Sequence, residues 1–149
     1  MLELFSYLDE MEWADETYVD YPAQRHNPPA EQNIKILDSD NVSHCFNRGV
    51  SVFNDATITL ELNGQYRRFT SYIGERGWVQ RRGGARYMFR MIGDGIEIFY
   101  SGDKFAGEID YIDIDISGVK VLQLIIDDQW TGMDAFEYVY YWAESTFYK

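Results

Sequence analysis

The feature that most narrows the fold is a series of short apolar-alternating segments punctuated by glycine turns, with no long stretch of 3.6-residue period. Residues 57–62 place Ile58, Leu60 and Leu62 on one face, and Asn63-Gly64 then marks a tight turn. Residues 66–73 and 86–92 are β-rich. Gly93-Asp94-Gly95 feeds residues 96–100, which Ser101-Gly102 ends. Ile112, Ile114 and Ile116 alternate with Asp113 and Asp115, the pattern of a half-buried strand whose acids face solvent. Ser117-Gly118 turns into the nearly continuous apolar run 119–126, which suits a central strand, and residues 135–142 are aromatic and strand-like, with Tyr138, Tyr140 and Trp142 on a core-facing stripe. Strands at this spacing predict an all-β fold, an antiparallel β-sandwich. The N-terminal residues are less regular. Pro22, Pro28 and Pro29 limit them to an irregular arm with a short helical turn near residues 14–18.

Composition sets outer bounds. A chain of 149 residues fits one domain, 1–149, and 46% hydrophobic residues supply a core without staples. The single cysteine, Cys45, excludes an intrachain disulfide. No apolar run reaches the roughly 20 residues of a membrane-spanning helix, and the first residues carry acid where a secretory leader carries base. These features lead to the expectation of a soluble, cytoplasmic protein. A net charge of −12 argues against wrapping a nucleic acid.

The charge is uneven. Residues 67–90 hold seven arginines against the single acid Glu75. Within them, residues 74–84 form a glycine- and arginine-rich loop carrying Trp78. An indole set mid-loop either folds back as a plug or stacks on a flat ligand, and Arg76, Arg81 and Arg82 beside it can hydrogen-bond a sugar or an anion. Trp78, Arg76, Arg81 and Arg82 are therefore the candidate ligand-binding residues.

Catalytic chemistry has little support. His44 and Cys45 are adjacent, so on an extended segment they point to opposite faces, and His26 lies in the proline-rich arm as a solvated loop histidine. There is no nucleophile elbow, phosphate-binding loop or zinc spacing. No catalytic residue is expected. Asp38-Ser39-Asp40 and Asp127-Asp128 look like turns at strand ends, and either could lend oxygens to calcium.

The order of motifs resembles the NPCBM domain, a galactose-binding-like jelly roll found beside glycoside hydrolases. The resemblance runs through Tyr7-Leu8-Asp9-Glu10-Met11-Glu12-Trp13, Arg48-Gly49-Val50, Asn63-Gly64-Gln65-Tyr66-Arg67-Arg68-Phe69, Ile73-Gly74, Phe89 to Gly95 with Tyr100-Ser101-Gly102, Ile114 to Val119, Leu122-Gln123-Leu124 and Trp142-Ala143-Glu144. It implies a two-sheet sandwich, sugar binding at loops and a structural calcium, for which Asp38, Asp40 and Glu144 are the candidate ligands. The chain departs from the family pattern after Gly49, where Val50-Ser51-Val52-Phe53 contains no histidine, and again at residues 137–141, where tyrosines replace an Asp-His pair.

Two readings stand open at this point. One is a non-catalytic carbohydrate-binding module that engages a glycan through its loops. The other is an acidic protein-interaction module, of the immunity or phage-encoded inhibitor type, that docks on a basic and for instance nucleic-acid-binding protein by electrostatic steering. Neither reading involves direct contact with nucleic acid or a membrane.

Overall fold

A computed structural model describes residues 4–19, 21–26, 34–40, 42–53, 55–76, 86–105, 107–128 and 139–149. Its strands are β1 (Phe5–Tyr7), β2 (Asp15–Tyr18), β3 (Gln24–His26), β4 (Ile34–Leu37), β5 (Ser43–Phe46), β6 (Gly49–Phe53), β7 (Ala56–Glu61), β8 (Arg68–Glu75), β9 (Tyr87–Gly93), β10 (Ile96–Tyr100), β11 (Ile109–Asp115), β12 (Val121–Asp128) and β13 (Val139–Tyr148). All pairings are antiparallel. One sheet has the order β11-β8-β13-β6-β3, with β1 also on β13. The second has the order β10-β9-β12-β7-β2, and β4-β5 form a separate hairpin.

The predicted β-sandwich is therefore present. The alternating residues Ile58 and Leu60 of β7, Leu122, Leu124 and Ile126 of β12, and Phe89 and Met91 of β9 turn inward from the second sheet. They meet Val50, Val52, Phe69, Ile73, Tyr140, Trp142 and Phe147 from the first. Aromatic rings dominate the contact: Trp142 lies edge-on to Phe89 at 4.8 Å and to Phe69 at 6.2 Å, and Tyr87 lies 4.7 Å from Tyr140. The core-facing assignment of Tyr140 and Trp142 holds, and Tyr138 lies outside the described residues.

The N-terminal residues differ from expectation. Among those described, β1 and β3 extend the first sheet, and β2 pairs with β7 at the edge of the second. The helical turn foreseen near residues 14–18 is strand β2, because Asp15, Glu16, Thr17 and Tyr18 pair with β7 in register. Tertiary pairing overrides a weak local preference there.

The hairpin β4–β5 lies on the outside of the first sheet. Ile34, Ile36 and Phe46 pack there against Phe53, Val139, Tyr141 and Ala143 as a second small core. The hairpin covers the outer face where β6 crosses the first half of β13. Beyond that region the face carries Thr70, Tyr72, Tyr111, Thr146 and Tyr148.

Strand β13 is shared lengthwise. Val139–Ala143 pair with β6, the register breaks between Ala143 and Thr146, and Thr146–Tyr148 pair with β1. At the break Glu144 has φ +51°, and its amide donates to the Arg48 carbonyl at 3.0 Å, while the Ser145 carbonyl accepts the Leu8 amide at 3.0 Å. Opposite Ala143 stands Gly49, with φ +147°; a Cβ there would lie 2.5 Å from the Trp142 carbonyl oxygen and 2.9 Å from the Ala143 Cα. Glycine is required because two backbones approach too closely for any side chain.

Gly49→Ala should therefore lower unfolding free energy by about 2 kcal/mol or more, measured by urea denaturation. Gly95→Ala, at φ +82° with open space around it, should cost only about 1–2 kcal/mol. Equal midpoints for the two variants would contradict the close-approach account.

Candidate functional site

Three cross-strand rows build the exposed part of the outer face. Tyr111 stands opposite Tyr72, Asp113 opposite Thr70 and Thr70 opposite Thr146, and Arg68 opposite Tyr148. Strand β1 completes the last two rows with Tyr7 beside Thr146 and Phe5 beside Tyr148. The result is a depression of about 490 Å³, a volume in the range of small-ligand sites. Tyr7, Tyr72, Tyr111 and Tyr148 line it, together with Asn47, Arg48, Glu144, Thr70 and Thr146. The rings of Tyr72 and Tyr111 lie 4.9 Å apart, and Tyr72 is backed by Phe46 of the hairpin at 4.9 Å.

The cations around the depression are neutralised locally. Arg68 makes a two-pronged pair with Asp113, Nε to Oδ1 at 2.7 Å and Nη2 to Oδ2 at 2.8 Å, and its guanidinium lies over Tyr148 at 5.1 Å. The hydrogen bonds from Arg68 hold the Asp113 carboxyl below its ordinary range. Arg48 stacks on Tyr7 at 3.6 Å, donates to Glu10 Oε1 at 2.9 Å and lies 3.3 Å from Asp9 Oδ2. Glu144, by contrast, is exposed and has no ion pair among the described residues.

The segment Tyr7–Trp13 positions Tyr7 as a clamp. Leu8 is fully buried in the main core. Trp13 Nε1 donates to the Leu8 carbonyl at 3.1 Å, and Arg25 stacks on Trp13 at 3.7 Å while donating to the carbonyls of Asp9 at 3.1 Å and Met11 at 2.7 Å. Asp9 is buried beneath this knot. Its desolvation outweighs the attraction of Arg48, so its pKa rises above the ordinary 3.8.

The residues expected from the sequence are distributed otherwise. Trp78, Arg81 and Arg82 lie outside the described residues. Arg76 follows β8; its amide donates to the Val139 carbonyl at 2.9 Å and its carbonyl accepts the Leu37 amide at 3.3 Å. Its guanidinium is half-buried, which lowers its pKa against the pull of Tyr141 and Glu75, and it does not line the tyrosine depression.

The three expected calcium ligands lie in two places. Asp38 and Asp40 stand at the β4–β5 turn, where Asp38 Oδ1 accepts the amides of Asp40 and Val42, each at 2.9 Å, and Oδ2 lies 2.8 Å from His44 Nε2. Asp38 thus closes its own turn. Glu144 belongs to the β13 break, and among the described residues no three His, Cys, Asp or Glu side chains are grouped to hold a metal ion. Asp38 and Asp40 at the hairpin turn and Glu144 at the β13 break are therefore not brought together as one set of carboxylate ligands.

His26 is a further correction. It is no solvated loop residue: on β3 its Nε2 lies 2.9 Å from Ser51 Oγ, and burial lowers its pKa. The tyrosine depression was missed because its four rings come from β1, β8, β11 and β13. Only strand register brings them together.

A family model described as the NPCBM/NEW2 domain matches residues 5–148. No curated protein matches the chain. Among solved structures, the CBM51-2 and INT domains of Clostridium perfringens ZmpB in complex with GlcNAc superpose with a TM-score of 0.81 at 18% identity, over 97% of this chain and 31% of that one. The CBM51 of Clostridium perfringens GH95 in complex with methyl-galactose gives a TM-score of 0.75 at 17% identity, over 96% and 99%. The tandem CBM51 modules of Sp3GH98, a family 98 glycoside hydrolase from Streptococcus pneumoniae, give 0.79 at 20% identity, over 97% and 47%. At these identities the likeness is one of fold, and it supports the two-sheet architecture.

The raised Asp9 pKa sets a pH dependence. The folded chain holds this proton to higher pH than the unfolded chain, so the contribution is full below about pH 3.8 and is lost as pH rises through the folded value. Asp9→Asn removes that slope. Its stability relative to the parent, from urea unfolding at several pH values, should rise from acid towards neutrality; a difference that is flat or falls over that interval would contradict the burial of Asp9.

Proposed function

The chain belongs to the NPCBM/NEW2 domain family, and on that premise we propose that it is a non-catalytic carbohydrate-binding module that takes a glycan in the tyrosine-lined depression. The observation that carries the location is the convergence of Tyr7, Tyr72, Tyr111 and Tyr148 around Asn47, Thr70, Glu144 and Thr146. A pyranose offers a flat C–H face to an aromatic ring and a rim of hydroxyls to polar groups. The tyrosines supply the first kind of surface, and the amide, hydroxyl and carboxylate groups supply the second. Glu144, free of an ion pair among the described residues, is an acceptor for sugar hydroxyls.

A binding role also fits the state of the nearby charged groups. Asp113 and Glu10 are engaged with Arg68 and Arg48, so they act as structural partners. The structures of similar fold include modules described in complex with GlcNAc and with methyl-galactose, which makes these two sugars the first to test. The reading as an acidic module docking on a basic protein has no support from the family or from these structures.

Titration calorimetry with methyl-galactose and GlcNAc tests the proposal. Binding of either should weaken about tenfold or more in Tyr111→Ala, a loss of ~1.4 kcal/mol or above, while circular dichroism stays unchanged, because Tyr111 is 54% exposed. Trp78→Ala, titrated alongside, examines the loop contact expected of Trp78 with Arg76, Arg81 and Arg82. An unchanged affinity in Tyr111→Ala would remove the glycan from this depression.

A further inference from the structure

A second depression, of about 460 Å³, adjoins the first. Tyr7 lines both, so the two meet at strand β1. Glu10 also links them: it lines the second depression and bonds Arg48, which lines the first. Strand β1 carries Tyr7 and pairs with β13 alone among the described residues.

The second depression differs in chemistry from the first. It offers Ser6, Glu12, Glu61, Gln65 and the half-buried ring of Tyr66. Tyr66 is held in place by a 3.0 Å hydrogen bond between its hydroxyl and Ser6 Oγ and by an edge contact with Phe147 at 5.7 Å. Glu12 and Glu61 are exposed and have no ion pair among the described residues. Lys149 Nζ lies over the Tyr66 ring at 5.8 Å, and Phe5 and Tyr7 also line the depression, so the groups open to a ligand are mainly the carboxylates of Glu12 and Glu61 and the Gln65 amide, which suit the hydroxyls of another neutral sugar.

We infer that the protein binds a neutral oligosaccharide of at least two sugars, with one unit among the tyrosines and the next across Tyr7, bonded by Glu12, Glu61 and Gln65. The inference rests on the glycan reading of the first depression and adds a second subsite to it. The two cavities are each large enough for a small ligand and have Tyr7 in common, which places two linked sugars within reach of both. The second unit adds contacts without a second loss of translational freedom, so affinity should rise with chain length.

Calorimetry on the full chain with two length series tests this: galactose, galactobiose and galactotriose, and GlcNAc with its β-linked dimer and trimer. In at least one series the disaccharide should bind about tenfold or more tightly than the monosaccharide. The double variant Glu12→Ala/Glu61→Ala changes two exposed side chains. It should return disaccharide affinity to the monosaccharide value and leave monosaccharide binding unchanged. Disaccharides and trisaccharides that bind no tighter than single sugars in both series would overturn the second subsite alone, as would a double variant that keeps the full gain. Absence of binding by every sugar of both series would overturn the glycan reading together with it.

Discussion

Everything on the outer face depends on how strand β13 is held. It is paired with β8 along one edge, while its other edge is divided between β6 and β1. Its inward side chains, Tyr140, Trp142 and Phe147, anchor the aromatic layer between the sheets. Its break at Glu144 and Ser145 ties two separate segments to one place, through the amide of Glu144 on the Arg48 carbonyl and the carbonyl of Ser145 on the Leu8 amide. The residue on either side of the depression, Arg48 and Tyr7, is thus fixed by the backbone of a strand buried in the middle of the fold.

Electrostatics then tune what the strands assemble. A chain with net charge −12 would be expected to surround any surface site with unpaired acids. Here Asp113 is matched by Arg68, and Asp9 and Glu10 share Arg48, so several acids of the outer face serve to hold guanidinium groups flat over tyrosine rings. Exposed pairs such as Arg68 with Asp113 contribute little to stability. Their effect is geometric, in fixing the orientation of rings that water would otherwise surround.

Much of the fold from residue 57 onward was legible because half-buried antiparallel strands alternate. Ile58, Leu60 and Leu62, or Ile112 and Ile114, declare their face residue by residue. Strand β6 was not legible: Gly49–Phe53 is buried throughout, between β13, β3 and the hairpin, so it has no polar phase to read. Strands β1, β2 and β3 are three or four residues long and mostly exposed, so their apolar signal is short. His26 looked solvated because its partner Ser51 is 25 residues away. Two acids close in sequence, Asp38 and Asp40, suggested a metal, whereas the nearest backbone amides use Asp38 first. The depression draws one tyrosine from each of four strands, and no local motif could have revealed it.

The tyrosine face is made of paired strands backed by a core, with Tyr72 braced from behind by Phe46. Side chains mounted in this way have little rotamer freedom left to surrender, so the ordering entropy that a loop-borne site must overcome has already been met during folding. If the depression takes a glycan as proposed, it would do so without rearrangement of the scaffold, and selectivity between ligands would be expressed in how long each one stays.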